Sequence, residues 1–293
     1  MATAVDFTGR EIELSKAPKR IVCLTAAGLD ILVELGLEPV GYLSQGVAGN
    51  QEFYGERAKS IAGVGSWMFP DRRAIKSLQP DLIIGWKFPH QFYSGKLNRI
   101  ASTYLMGGHG YRSSFRRLRD IAILTGKLSK AERKIACLQE RLTRYHSSIP
   151  QHQYKTVLFL GGSDFNYFRR RFIVETNVGT MGSIMEQFAH YPWLEPRRNR
   201  EPGLINASVE DILAVDPDII FIQTYPPAKS PLSEQLKGYR LWQQLKAVQK
   251  GNIYEIKQLW HYGNGTHMIS LTLDDLMPLI YPELFGKLKP SVV

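Results

Sequence analysis

The clearest hydrophobic pattern lies near the middle of the chain, in residues 129–149. Apolar side chains recur there at steps of three and four, which places them on one face of a helix. The residues of this stripe are Ala131, Ile135, Leu138, Leu142, Tyr145 and Ile149. Ser129 and Glu132 have the spacing of a capping box, and Pro150 ends the pattern. We predict one helix, roughly 30 Å long at about 1.5 Å per residue, that links two halves of the chain.

A second pattern occurs once on each side of this helix. Residues 73–86 read RAIKSLQPDLIIGW, and residues 210–223 read EDILAVDPDIIFIQ. Each segment predicts a short helix, a Pro-Asp turn and an apolar strand. The apolar runs do not alternate with polar residues, so both strands should be buried on two faces, as in a parallel sheet covered by helices. The repeat predicts an α/β fold with two similar lobes, at 1–127 and 150–293, and a connecting helix at 128–149.

Composition and charge narrow the class of protein. Hydrophobic residues make up 44% of the 293 residues, which is typical of a globular chain. No apolar run approaches the ~20 residues of a membrane-spanning helix, and no signal-peptide pattern is present. Lys plus Arg at 37 against Asp plus Glu at 27 gives a net charge of +10, which indicates an acidic partner or ligand, or simply a basic surface. Cys23 and Cys137 indicate no disulfide or metal framework, and we expect both to be small core residues.

Aromatic and cationic side chains collect in loops that should follow strands, where open α/β sheets bind ligands. The first half supplies Trp67, Trp86, Lys87, His90 and Arg112, and the second half supplies Tyr167, Arg169, Arg170, Arg171, Tyr225, Trp260, His261 and Tyr262. We interpret these residues as the lining of a ligand site. Two plainer interpretations stay open: the aromatic loops pack on a sheet edge, and the three consecutive arginines lie on a solvated edge strand.

Five segments, in this order, resemble the substrate-binding proteins of iron–siderophore and cobalamin ABC importers, and the resemblance covers nearly the whole chain. The segments are residues 20–41, residues 63–86, the central helix, residues 207–222 and residues 241–256. The resemblance implies two Rossmann-like lobes joined by a single long helix, with the ligand in a cleft between the lobes. It also implies a periplasmic or cell-surface protein, and we expect that a signal sequence has been removed from this sequence.

The resemblance further implies docking to a permease through one surface glutamate on each lobe, near the start of the helix before Pro-Asp. Glu210 matches this position in the second lobe. In the first lobe the matching residue is Arg73, a reversed charge, and we expect Asp71 to take over the docking role there, with Glu52 and Glu56 as alternatives. For Glu210, the plainer interpretation is an acidic residue favoured in a first helical turn by the helix dipole.

The cationic and aromatic content narrows the ligand that this resemblance implies. Arginine and lysine match the carboxylate, catecholate or hydroxamate oxygens of ferric siderophores, and aromatic faces can cover the organic shell. We expect an anionic ferric siderophore, with the iron held by the chelator, no metal bound directly by the protein and no cofactor. The expected partners are this siderophore and an ABC permease, and the protein is expected to be a monomer. Haem, with His261, Tyr262 or Met268 as an iron ligand, and cobalamin are the alternatives.

Three other classes of function find less support. A bare transition-metal site needs converging His, Asp or Glu ligands, and the pair His261 and His267 is too little. An enzyme would be consistent with an α/β fold, but no G-x-S-x-G, P-loop or dinucleotide-binding motif is present. A nucleic-acid binder would use the positive charge, yet that charge is dispersed and no reader motif occurs.

Overall fold

The computed structural model describes residues 1–43, 46–162, 171–198, 202–225, 228, 230–256 and 264–286. The chain folds into two compact units. Counting only described residues, unit 1 comprises those of Met1–Gly108, Arg112–Glu140 and Trp260–Ser270, and unit 2 comprises those of His109–Tyr111, Arg141–Leu259 and Leu271–Val293.

Unit 1 is built on a parallel sheet with the strand order β5-β4-β3-β6-β7. Its strands are β1 (Ala2–Val5), β2 (Glu11–Leu14), β3 (Ile21–Cys23), β4 (Gly41–Tyr42), β5 (Ala62–Gly63), β6 (Leu82–Trp86) and β7 (Ser102–Met106), of which β1 and β2 form a separate antiparallel hairpin. The helices that begin in this part of the chain are α1 (Ala26–Leu35), α2 (Arg72–Ser77), α3 (Lys87–His90), α4 (Ser94–Asn98), α5 (Gly110–Leu124) and α6 (Leu128–Ser148). Because the sheet is parallel, the loops after its strands meet at one edge.

Unit 2 has a mixed sheet with the strand order β10-β9-β8-β11-β12. Its strands are β8 (Val157–Gly162), β9 (Arg171–Glu175), β10 (Leu204–Ser208), β11 (Ile219–Thr224) and β12 (Ile253–Glu255), and its helices are α7 (Thr180–Met185), α8 (Val209–Val215), α9 (Leu232–Leu236), α10 (Lys246–Gln249), α11 (Thr266–Ile280) and α12 (Pro282–Phe285). Strands β8, β11 and β12 run parallel, whereas β9 pairs antiparallel with both β8 and β10. The two sheets confirm the predicted α/β class.

Both Pro-Asp segments fold as predicted. In the first, helix α2 leads into β6, and in the second, helix α8 leads into β11. All but the last residue of each strand is buried, which explains why neither apolar run alternates with polar residues. In unit 2 the ring of Phe221 on β11 stacks on Phe159 of β8, with 5.3 Å between ring centroids. The core of each unit therefore includes the strand that the sequence repeat identifies.

Helix α6 confirms the long helix of the sequence prediction. All six residues of its apolar stripe are buried, from Ala131 to Ile149. The predicted capping box is wrong, because the helix begins at Leu128 and Ser129 lies inside its first turn. Glu132 instead accepts hydrogen bonds from Arg119 of α5, at 2.7 Å from Nε and 3.0 Å from Nη2. Cys137 is exposed on this helix, so the prediction of a core position holds only for Cys23.

A late part of the chain returns to unit 1, whereas the sequence division placed every residue after 150 in the second lobe. The first turn of α11 is held there by the carboxylate of Asp30 on α1. Oδ2 of Asp30 accepts from the backbone N–H of Met268 at 2.9 Å, and Oδ1 accepts from that of His267 at 3.2 Å. Asp30 is fully buried, and it satisfies two of the orphan donors that begin every helix. Such a cap, between residues far apart in sequence, leaves no local sequence signal.

Candidate functional site

The carboxyl edge of the unit 1 sheet carries four of the predicted site residues: Trp67, Trp86, Lys87 and His90. Trp67 follows β5, Trp86 ends β6, and His90 lies four residues after Trp86. Nδ1 of His90 accepts from the backbone N–H of Trp86 at 2.9 Å, and Nε2 lies 2.9 Å from the carbonyl oxygen of Trp67. A single imidazole thus connects the loops that carry the two tryptophans.

His90 itself is fully buried. Burial lowers its pKa to about 4, since the charged imidazolium would be desolvated, although the hydrogen bond to the carbonyl oxygen of Trp67 favours the charged form. The ring is therefore neutral near pH 7, with Nδ1 as acceptor and Nε2–H as donor. With both nitrogens bonded to backbone groups, the ring fits a positioning role for Trp67 and Trp86. This geometry does not favour direct contact of His90 with a ligand, which is the role expected from the sequence.

Lys87 is exposed at the same edge and lies beside a residue that the sequence analysis missed. Its Nζ is 5.2 Å from the ring centroid of Phe7, in the loop of the β1–β2 hairpin. Phe7 is anchored by a hydrogen bond of 2.9 Å from its backbone N–H to the carbonyl oxygen of Leu105. Its ring covers Gly107, where an added Cβ would come within 2.8 Å of Phe7 Cε1. The hairpin thereby provides an aromatic surface next to an accessible ammonium group.

A row of aromatic rings, formed by Trp67, Phe88 and Phe92, continues along this edge. Successive ring centroids are 5.9 Å and 6.0 Å apart in edge-to-face geometry. Phe88 is 50% exposed and Phe92 is 70% exposed. Phe69, two residues after Trp67, is 71% exposed, so the loops that carry Trp67 and Phe88 present several apolar rings to solvent. Exposed apolar groups that adjoin one another commonly mark a binding surface. These loops are aromatic in the sequence, but of the three rings only Trp67 was predicted as a site residue.

Arg117 is a further residue that was not predicted from the sequence. Its guanidinium carbon lies 5.1 Å from the ring centroid of Trp86, and the side chain is buried within unit 1. Ser114 and Ile121 share its face of α5 and are also buried. Their spacing of three and four residues from position 117 is a signal that could have identified this arginine. Arg112, which was predicted, is exposed in the first turns of the same helix.

In unit 2 the structure describes only two of the predicted site residues. Arg171 is the first residue of β9 and is exposed. Tyr225 directly follows β11, and its phenol ring lies over Gly161 of β8, where an added Cβ would be 2.6 Å from the ring carbon Cζ. Both therefore lie at ends of strands that flank β8 in the sheet, Arg171 on β9 and Tyr225 after β11. The other predicted residues lie outside the described residues: Tyr167, Arg169, Arg170, Trp260, His261 and Tyr262.

The two predicted docking residues lie at the starts of their helices, but two positions apart, so Arg73 and not Asp71 is the equivalent of Glu210. Asp71 is the N-cap of α2, and its Oδ1 accepts from the backbone N–H groups of Arg73 at 2.9 Å and Ala74 at 3.1 Å. Glu210 is exposed in the first turn of α8, whose N-terminus is already capped by Ser208 and Asp211. Asp71 thus caps its helix, whereas the side chain of Glu210 has no hydrogen-bond or ion-pair partner among the described residues.

Neither a resident metal centre nor a membrane span is found within the described residues. No group of three or more His, Cys, Asp or Glu side chains there could hold a metal ion. Across the same residues, no helix combines the length and hydropathy that crossing a bilayer requires.

Comparison with known proteins assigns the fold. The family model described as periplasmic binding protein matches residues 21–259. The chain belongs to the periplasmic binding protein family. Among curated proteins, it is 28% identical over 276 residues to the probable siderophore-binding lipoprotein YfiY of Bacillus subtilis, an alignment that covers 88% of this chain and 81% of YfiY. It is 24% identical over 273 residues to the Fe(3+)-citrate-binding protein YfmC of the same organism, covering 92% of this chain and 82% of YfmC.

Solved structures of a triscatecholate siderophore-binding protein and of a petrobactin-binding protein have the same fold. The protein FeuA from Bacillus subtilis, solved with ferri-bacillibactin, superposes with a TM-score of 0.79 at 16% identity, covering 96% of this chain and 99% of FeuA. The petrobactin-binding protein YclQ from the same organism also gives a TM-score of 0.79, at 17% identity, covering 95% of this chain and 98% of YclQ. At such low identity these similarities establish the fold alone.

Proposed function

We propose that the protein captures a ferric siderophore outside the cytoplasm and delivers it to an ABC permease. The observation that carries this proposal is the row of exposed aromatic rings beside Lys87, at the sheet edge where α/β proteins bind ligands. An anionic chelate presents oxygens to lysine and arginine and an organic shell to aromatic rings. Four similar curated proteins, two with names that include siderophore or ferric citrate binding, support the same class of ligand.

The function proposed is binding and delivery without catalysis. The iron is cargo that the chelator holds, so the protein needs to contact only the outer shell of the complex. In unit 1 Lys87 supplies positive charge, while Trp67 and Phe88 supply apolar surface. In unit 2, Arg171 is an exposed guanidinium group at the start of β9. The proposal also includes a monomer, because one chain is sufficient to carry one ligand to its permease.

Haem is the second candidate ligand, and one observation weakens it. Met268, one of the three residues that we considered as an iron ligand, is 1% exposed, and its backbone N–H is bonded to Asp30. A thioether in this position cannot reach a ligand at the surface. His261 and Tyr262 lie outside the described residues, so haem stays an alternative that the titration below distinguishes.

Ligand titration is expected to quench the intrinsic tryptophan fluorescence. Trp67 and Trp86 are both half-buried at the proposed site, so a bound ferric complex should quench them. We expect quenching by a ferric catecholate, hydroxamate or citrate complex with a dissociation constant of about 1 μM or lower. The same chelators without iron serve as controls and should bind more weakly. Quenching by haem or cobalamin alone would replace the proposed ligand, and no quenching by any complex would contradict the proposed function.

Charge reversal at Glu210 is expected to impair delivery without affecting capture. The exposed carboxylate of Glu210 is available to pair with a basic permease surface, whereas Arg72 and Arg73 make the equivalent turn of unit 1 basic. Glu210→Arg should leave the affinity for the ferric complex within about twofold and lower iron uptake by cells about tenfold, a factor that corresponds to ~1.4 kcal/mol. Glu140→Arg, on the exposed face of α6, is the matched control.

The role of Asp71 needs a substitution that keeps its cap. Asp71→Ala would remove an N-cap worth ~1 kcal/mol, so a loss of docking could not be separated from a loss of stability. Asp71→Ser retains the acceptor for Arg73 N–H and removes only the negative charge. Reduced uptake in Asp71→Ser would support a docking role for Asp71, and normal uptake would leave Glu210 as the docking residue. Normal uptake in Glu210→Arg would contradict the docking proposal for unit 2.

A further inference from the structure

Arg117 is a buried cation that lies away from the solvent side of its helix. It is 3% exposed, although Arg116 and Arg119 beside it in sequence both form ion pairs at more exposed positions. Burial lowers the pKa of Arg117 to about 10, while the nearby carboxyl of Asp30, when it is ionised, favours the charged form. The guanidinium is therefore still charged at neutral pH, and burying a charge in this way is costly unless its hydrogen bonds are satisfied.

The hydrogen bonds of Arg117 tie together two distant segments of unit 1. Nη1 donates to the carbonyl oxygens of Gly107 at 3.1 Å and Gly108 at 3.2 Å, just after β7. Nη2 donates to Ser114 Oγ at 2.9 Å and to both oxygens of Asn264, at 3.0 Å to the backbone and 3.2 Å to Oδ1. Ser114 Oγ also donates to the carbonyl oxygen of Asn264. The planar fork of arginine can serve both segments at once, which the single ammonium of lysine cannot reproduce.

Arg117 also contacts the indole ring of Trp86. At 5.1 Å from the ring centroid, the guanidinium is within the range of a cation–π contact. Trp86 is half-buried, so the part of the indole that remains accessible lies on its other face or its edges. His90 fixes the backbone of Trp86, as described above, and Arg117 fixes its ring.

We propose that Arg117 is a positioning residue of the ligand site. It holds the Trp86 ring, the loop after β7 and Asn264 at a single point, and so fixes the orientation in which Trp86 meets a ligand. A residue that served stability alone would not need the charge, because replacing buried ionic groups by apolar ones is often neutral or stabilising. The inference rests on the proposed function in so far as Trp86 contacts the ligand.

The test compares Arg117→Lys and Arg117→Met with Arg116→Met as the matched control on the exposed side of α5. The probes are ferric tris-catecholate and ferric citrate, titrated by tryptophan fluorescence. Both Arg117 variants are expected to lower the affinity for the complex that binds by about tenfold or more, since a misplaced ring loses its contact. Arg116→Met should stay within about twofold. In the Trp86→Phe background the effect of Arg117→Lys should shrink to less than about threefold, because the residue acts through the indole.

A ligand-free readout keeps the proposal testable if a variant folds poorly or if neither complex binds. Acrylamide quenching of Trp86 is obtained as the difference between each protein and its Trp86→Phe partner. Arg117→Lys and Asn264→Ala, the milder changes, should both increase the accessibility of Trp86. Unchanged accessibility together with unchanged affinity would overturn the positioning role, as would an equal loss of affinity in the Trp86→Phe background. Failure of the unsubstituted protein to bind any ferric complex would instead contradict the proposed function.

Discussion

Gly265→Ala is expected to lower the free energy of unfolding by about 3 kcal/mol, because it disrupts a buried helix cap. An added methyl group would overlap Oδ1 and Cγ of Asp30 and lie 3.0 Å from its Cβ. Asp30 is fully buried and cannot swing away without breaking its hydrogen bonds to the backbone N–H groups of His267 and Met268. Each buried donor left without a partner costs ~1–3 kcal/mol.

Urea unfolding of Gly265→Ala, followed by tryptophan fluorescence, measures this loss. Gly95→Ala is the matched control, since Gly95 lies in helix α4 of the same unit and has no atom within 4 Å of an added Cβ. There the substitution should be neutral or slightly stabilising, because alanine favours a helix over glycine. A loss below about 1 kcal/mol in Gly265→Ala would mean that Asp30 can move and keep its bonds, which would contradict the tight cap.

The elements that could be predicted from sequence are those with a local physical cause. The stripe from Ala131 to Ile149 predicts α6 because a period of 3.6 residues puts those side chains on one face, and all of them are buried. The Pro-Asp turns predict β6 and β11 because proline ends a helix and an unbroken apolar run needs two covered faces. The capping box at Ser129 failed because the same spacing also occurs by chance inside a helix, where Glu132 found Arg119 instead.

Contacts between distant segments were not predictable from such patterns. The return of Asn264 and the first turn of α11 to unit 1 depends on Asp30 and Arg117, which lie more than a hundred residues away in sequence. Asp30 and Arg117 each left a weak signal in the sequence, because each is a charged residue at an apolar position of its helix, α1 or α5. A pattern of that kind identifies a buried charge, but it cannot name the partner. The loop order alone was enough to bring Trp67, Trp86 and Lys87 to one edge of the sheet.

Asp30 should also make the protein less stable as the pH rises. Burial raises the pKa of this carboxyl to about 8, with Glu34 adding to the shift, while the N–H groups of His267 and Met268 and the charge of Arg117 oppose it. In the unfolded chain the same group has the ordinary pKa of about 4. Between these values the folded state holds a proton that the unfolded state has lost, so the free energy of unfolding falls as the pH increases. The stabilisation is complete below pH ~4 and is lost as the pH rises through the folded pKa of about 8.

Asp30→Asn is expected to remove this dependence, because the amide oxygen can still accept from Met268 N–H and carries no charge at any pH. Urea unfolding at pH 5 and pH 8.5 should show that the unsubstituted protein loses ~4 kcal/mol more than Asp30→Asn over this interval, since about three units separate pH 5 from the folded pKa of about 8 and each corresponds to ~1.4 kcal/mol. Glu175, a buried carboxyl in unit 2 with a pKa also raised to about 8 by burial, contributes a separate loss of the same sign. Both proteins retain Glu175, so its contribution cancels in their comparison.

Asp211→Asn is the control for the sign of the effect. The hydrogen bonds from Ser208 hold the pKa of Asp211 below its ordinary value, and Arg171 adds to this shift. Asp211 therefore stabilises the folded state at pH values above its ordinary pKa. This stabilisation is lost only as the pH falls through the lowered pKa. Between pH 5 and pH 8.5 this variant should follow the unsubstituted protein, whereas Asp30→Asn should diverge from it. An equal slope in all three proteins would show that Asp30 is ionised throughout, and that the buried cap of α11 carries a full negative charge.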